Sequence, residues 1–276
     1  MRPYILSKIR NIFSVALHPG EESHHGHREG TATRRAAAEL VGTAALVTVV
    51  IGSGIQATGL SQDAGVRLLA NALASAIGLG LLIVLFGPVS GAHLNPVITL
   101  FTWWSRRRDR TGFSGREAGV YITAQLTGAV AGALLAEVMF GRPPGVWSTQ
   151  VRSAGHLLLG ETVATAGLVL LVYGLDRTGR AQFAPVAVAS YIAAAIWFTS
   201  SGSFANPAAT VGRSLTDSLT GIAPASLPGF IGAQLLGGLL GTVLATVLYG
   251  PPPARPLPSG LVLSDGSRGR IFSRRA

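Results

Sequence analysis

Two short stretches, Ser90-Gly91-Ala92-His93-Leu94-Asn95-Pro96-Val97 and Ser203-Phe204-Ala205-Asn206-Pro207-Ala208, decide how this sequence folds. Each places Asn directly before Pro. Asn is among the best helix N-caps, and Pro at the first helical position lacks only an N–H that would be unpaired there anyway. Asn95-Pro96 and Asn206-Pro207 therefore predict two helix starts. The segments before them, 90–94 and 201–205, read as extended chain whose carbonyls lack helical partners. The surrounding stretches 87–101 and 200–213 are too short to cross a bilayer, which takes about 20 residues, and too apolar for free loops. They predict re-entrant half-helices. Such backbone survives at membrane depth only inside protein or along a water-filled cavity.

Working outward, apolar stretches of spanning length lie near 36–58, 68–86, 118–140, 155–174, 183–200 and 227–249. Of the 276 residues 48% are hydrophobic and only 12% charged, against about 25% charged in a soluble domain. Mean hydropathy is +0.45. A soluble globule is excluded, and the 36 Gly suit closely packed spans. The predicted fold is an all-α membrane protein with six transmembrane helices and two re-entrant half-helices. The apolar run Ile12 to Leu17 is too short for a cleaved signal. Having no Cys excludes disulfides and thiolate metal sites.

The net charge of +10 would suit nucleic acid, so its distribution has to decide. With both termini on one side, 18 of the 22 basic residues fall on that side, and only Arg67, Arg142, Arg152 and Arg213 on the other. That asymmetry follows the positive-inside rule and excludes DNA binding as the meaning of the charge. The expected location is a cell (inner) membrane, multi-pass, with cytoplasmic termini.

An internal repeat supports this topology. Residues 124–136 align with 233–245 at seven identical positions of 13, and Glu39/Thr43 recurs as Glu161/Thr165. Three spans per repeat is odd, so the repeats 34–140 and 155–250 must be inverted in the membrane. Gly128/Gly132 and Gly237/Gly241 form small-xxx-small steps for close helix approach. Residues 1–33 read as a disordered cytoplasmic tail, whose His18, His24, His25 and His27 are solvated or capture metal, and 251–276 as a Pro/Arg-rich tail touching anionic lipid.

In an inverted repeat the two half-helix starts meet near the bilayer midplane. Each carries roughly +0.5 of a charge, which repels protons and cations, while the Asn amides can donate to a neutral solute. With these boxes, repeat and topology, residues 34–250 resemble the aquaporin/aquaglyceroporin (major intrinsic protein) family. Val97 stands where Ala is usual. The resemblance implies a homotetramer with a pore in each protomer. It also implies that Glu39 and Glu161 support the re-entrant loops, as does His93 in the first box; the alternative for these buried carboxylates is proton coupling.

In water-selective members of the family the filter combines an aromatic residue, a His, a loop residue and an Arg. The matching positions are Ser75, Ile196 (or Ala194), Ser203 and Ala209, none of them aromatic, His or Arg. Small and apolar residues there imply a wider passage, open to glycerol-sized neutral molecules. The run Asn206 to Asp217 is similar to a bacterial subgroup associated with arsenic resistance, which implies arsenite or methylated arsenicals as a solute class. Arg213 follows Ala209 by one helical turn, as an outer-vestibule residue or as a surface partner of Asp217.

The reading is thus a passive channel for small neutral solutes, with membrane lipids and its own copies as partners. The rival is a secondary active transporter, since inverted repeats with broken helices serve those too. A non-conducting scaffold is a third class. No nucleophile–base pair, phosphate loop or metal spacing points to an enzyme, a cofactor or a metal.

Overall fold

The computed structural model describes residues 31–107 and 113–251. The tail histidines, Arg108, Arg110 and the segment 252–276 lie outside the described residues. Among the described residues eight helices run in the order α1 (Ala32–Leu60), α2 (Ala64–Ser90), α3 (Pro96–Arg106), α4 (Gly115–Met139), α5 (Gly155–Arg177), α6 (Ala184–Phe198), α7 (Pro207–Arg213) and α8 (Leu227–Tyr249). Short 3₁₀ turns, Ala181–Phe183 and Pro224–Ser226, lead into α6 and α8. All except α3 and α7 are long and apolar enough to cross a membrane, α6 with its lead-in turn. The chain is an all-α, multi-pass membrane protein.

Local chemistry sets the ends. The Thr31 hydroxyl accepts from Arg34 N, so α1 starts inside the stretch expected as tail. Asp63 accepts from Val66 N at 2.8 Å to open α2. Ser114 and Glu117 form a capping box, which starts α4 ahead of its apolar run. The second span is longer than the expected 68–86. It continues through Pro88 to Ser90 and stops where Gly91 turns left-handed at φ 90°.

The segments before the Asn-Pro pairs are not extended. Ala92 and Leu94 lie at φ 46° and 47°, and Ser203 and Ala205 both at 48°, alternate residues in the left-handed region at matched repeat positions. Nothing in composition announces this, because Ala, Leu and Ser each resist that conformation by about 1 kcal/mol or more.

The repeats, α1–α4 and α5–α8, pack alike: α1 runs along α4 and α5 along α8. The contacts rest on glycine. A Cβ on Gly128 or Gly132 would come closer than 3 Å to Leu40 O or Ala44 O, and one on Gly237 or Gly241 equally close to Thr162 O or Ala166 O. Large apolar side chains point outward instead, among them Leu73, Ile77 and Leu81 on α2 and Leu236, Leu240 and Val247 on α8. The interior is rich in Ala, Gly and Thr beside Val47, Ile51, Phe101 and Phe230, while the exposed large residues are mostly Leu and Val, as bilayer solvent favours.

The repeats are also inverted. Arg35–Glu117 (2.5 Å) and Arg106–Asp176 (2.6 Å) tie together the face holding the start of α1 and the end of α5. The opposite face holds the start of α5, with Arg142 paired to Glu137 at 2.6 Å.

Candidate functional site

The two half-helices meet start to start, and each Asn serves both. Asn95 Oδ1 accepts from Val97 N at 2.9 Å, capping its own helix, while its Nδ2 donates to Ala205 O at 2.7 Å in the other repeat. Asn206 Oδ1 accepts from Ala208 N (3.0 Å) and Ala209 N (3.2 Å), and its Nδ2 donates to Leu94 O at 2.8 Å. Pro96 and Pro207 are the first residues of α3 and α7. One N–H of each Asn amide is left for a further acceptor.

Two buried carboxylates hold the left-handed loops in shape. Glu39 accepts from His93 N (2.9 Å), Leu94 N (2.6 Å), the Ser90 hydroxyl (2.6 Å) and Gln125 Nε2 (2.7 Å). Glu161 accepts from Phe204 N at 3.2 Å, from Ala205 N, and from Gln234 Nε2 at 2.8 Å. Both glutamates are 0% exposed. Charge-assisted bonds of about 1.5–3 kcal/mol each outweigh the strain of the left-handed residues. The same two glutamines reach into the half-helices, Gln125 to Thr99 (2.9 Å) and Gln234 to Thr210 (2.7 Å). The His93 ring contacts the Thr99 hydroxyl through Nδ1 at 3.1 Å and lies edge-on to Phe113 and Tyr121. The Tyr121 hydroxyl donates to Ser90 O at 2.9 Å.

A cavity of about 800 Å³ runs between the two faces, with Asn95 and Asn206 on its wall. Arg35, Arg106 and Arg177 line it toward one mouth and Arg152, Arg213 and Thr220 toward the other. Leu79, Ile83, Leu168, Val172 and Ile192 give it a largely apolar side. Residues 91–93 and 202–204 also line it, and their carbonyls accept no hydrogen bond from the described residues.

Ser75, Ile196, Ser203 and Ala209 all line this cavity. Ala194 does not; it is exposed on α6. The Ser75 and Ser203 hydroxyls are buried without a partner among the described residues. Val97 packs away from the cavity against Ile98, Phe101 and Leu168. Arg213 is not the surface partner of Asp217. It is 9% exposed and lines the cavity, with Nε donating to Thr220 O. Asp217 instead accepts from Thr149 N and Oγ1, both at 3.0 Å, and these bonds hold its carboxyl below the usual carboxylate range.

Several of these groups go beyond the residues that the sequence marked. Thr99 and Thr210 stand four residues after their Asn, and Gln125 and Gln234 at matched repeat positions, so this signal was legible. Phe204 beneath Arg213 and the Glu137–Thr216 contact depend on tertiary proximity and left none.

Six spans in an inverted repeat, with two half-helices strapped start to start beside a through-cavity, define a membrane channel of the half-helix type. The chain belongs to the major intrinsic protein family: the family profile "Major intrinsic protein" matches residues 27–200. It is 43% identical to "Aquaglyceroporin AqpS" of Rhizobium meliloti over 225 residues, covering 82% of this chain and 93% of the relative. It is 28% identical to "Glycerol uptake facilitator protein" of Pseudomonas aeruginosa, covering 85% of this chain and 94% of that one. The X-ray structure of the aquaglyceroporin from Plasmodium falciparum superposes with a TM-score of 0.58 at 22% identity, over 80% of this chain and 96% of that chain, and shares the fold.

Proposed function

We propose that this protein is a passive channel for uncharged solutes larger than water, glycerol-sized polyols first among them, with water also passing. The members of its family are channels rather than enzymes, and the relatives named above are an aquaglyceroporin and a glycerol facilitator. None of them supports the active-transporter alternative.

The observation that carries the solute class is the cavity lining. Ala209, Ile196, Ser75 and Ser203 form the selectivity filter on this reading, and none of those four positions holds an Arg, His or aromatic residue. The Ser75 and Ser203 hydroxyls, without a partner among the described residues, offer hydrogen bonds to a hydroxylated solute, while Ile196 presents an apolar surface to its carbons. Neutral arsenite and methylated arsenicals extend the class, supported by the resemblance of the run Asn206 to Asp217 to the arsenic-associated subgroup. The bonds that fill Glu39 and Glu161 support loop support over proton coupling as their role, with His93 helping through Thr99. The channel unit is 34–250 with its two repeats, assembled as a homotetramer in a cell (inner) membrane. The 18-to-4 distribution of basic residues supports cytoplasmic termini.

The test is a flux panel in proteoliposomes with water, glycerol and arsenite. Glycerol conduction is expected, and Ala209→Arg should cut glycerol at least about tenfold while sparing most of the water flux, since a guanidinium would fill the space a small side chain leaves. Water conduction with no larger solute overturns this reading.

A further inference from the structure

The position one turn beyond Ala209 holds a cation that the lining alone does not explain. The Arg213 guanidinium carbon lies 3.2 Å from the centre of the Phe204 ring, and that of Arg152 lies 5.3 Å from the same ring. Phe204 is itself fixed edge-on against Phe230 at 5.1 Å. Among the described residues Arg213 donates only Nε, to Thr220 O, so Nη1 and Nη2 remain for whatever occupies the cavity. Arg152 is anchored through Nε to Gly221 O at 2.9 Å and lines the same mouth. No carboxylate among the described residues is bonded to either. The Asp217 carboxylate is bonded to Thr149, Glu137 to Arg142 and Thr216, and Glu161 to the loop amides and Gln234. Two guanidinium groups on one aromatic platform therefore concentrate positive charge at this mouth, bonded by no carboxylate among the described residues, in a partly desolvated setting where its field is strong.

We propose that Arg213, seated on Phe204 and reinforced by Arg152, is the charge-selecting residue of this channel, and that it acts at a level separate from the filter at Ser75, Ile196, Ser203 and Ala209. Cations are turned back at the mouth. Neutral solutes accept hydrogen bonds from Nη1 and Nη2, are oriented, and then meet a passage that sorts them by size alone. This rests on the channel reading above. It separates two tasks, since the filter can be wide without the pore losing charge discrimination.

Urea and guanidinium test it, because they match in size and planarity and differ by one charge. In proteoliposomes the unaltered protein should pass urea and exclude guanidinium. Arg213→Gln should raise the guanidinium-to-urea flux ratio at least about tenfold, Arg152→Gln by a smaller factor, and Arg213→Lys, which keeps the charge, by little. Glycerol flux through each variant reports that the pore is folded, and the ratio is insensitive to how much protein is active. An unchanged ratio in an Arg213→Gln channel that still passes urea and glycerol overturns the inference and leaves the channel reading standing. An unaltered protein that passes neither urea nor glycerol overturns the channel reading, and this inference with it.

Discussion

At the scale of single residues, the arrangement depends on two carboxylates that pair with no cation among the described residues. Glu161 spends its oxygens on Phe204 N, Ala205 N and Gln234, and those amides belong to a loop with Ser203 and Ala205 in the left-handed region. In Glu161→Gln one carboxylate oxygen becomes an NH₂ group, which turns a donor toward a donor and strands a buried N–H. We expect a loss of about 2–4 kcal/mol, read as a lower melting temperature in detergent, together with reduced glycerol flux. A variant that melts normally and conducts downhill, yet has lost a proton-dependent flux present in the unaltered protein, would show that Glu161 carries protons. The residue scale is also where the sequence is least informative. Asn95 and Asn206 were readable because capping is local, whereas the burial of Arg213 depends on Phe204 and the 219–221 backbone arriving from elsewhere.

At the scale of elements, helix pairs are set by what is missing at their contact. Gly132 on α4 lies against the Ala44 carbonyl of α1, and Thr48 reaches across to Gly132 O at 3.0 Å. Gly132→Ala would force the pair apart at a cost of about 1–3 kcal/mol, whereas Gly119→Ala on the same helix meets nothing within 4 Å and should be neutral or slightly stabilising. Melting curves of the two variants side by side check this; equal stability would mean the close crossing carries no load. The spans were legible from the length of their apolar runs, and the crossings from the small-xxx-small spacing. The ends were displaced by capping residues, Ser114 and Gly91 among them, which act over three or four residues and outside the apolar pattern.

At the scale of the whole molecule, the seven identities between 124–136 and 233–245 anticipated the architecture, because a repeat with an odd number of spans has one way to sit in a bilayer. What the repeat could not convey is that its halves complete each other. Leu94 O is taken by Asn206 and Ala205 O by Asn95, so each pore loop finds its last partner in the opposite repeat. Cutting the chain within the 141–154 connection should therefore give two fragments that conduct glycerol when co-reconstituted and not when alone. Conduction by either fragment alone would contradict this. The exchange of bonds has a further consequence for direction. From either side a solute meets the same succession, free loop carbonyls and then an Asn amide, and leaves through it in reverse, so the centre of the pore is a palindrome. The gradient sets the net direction in a passive channel, and any difference between entry from the two sides lies at the ends, in the different arginines of the two mouths.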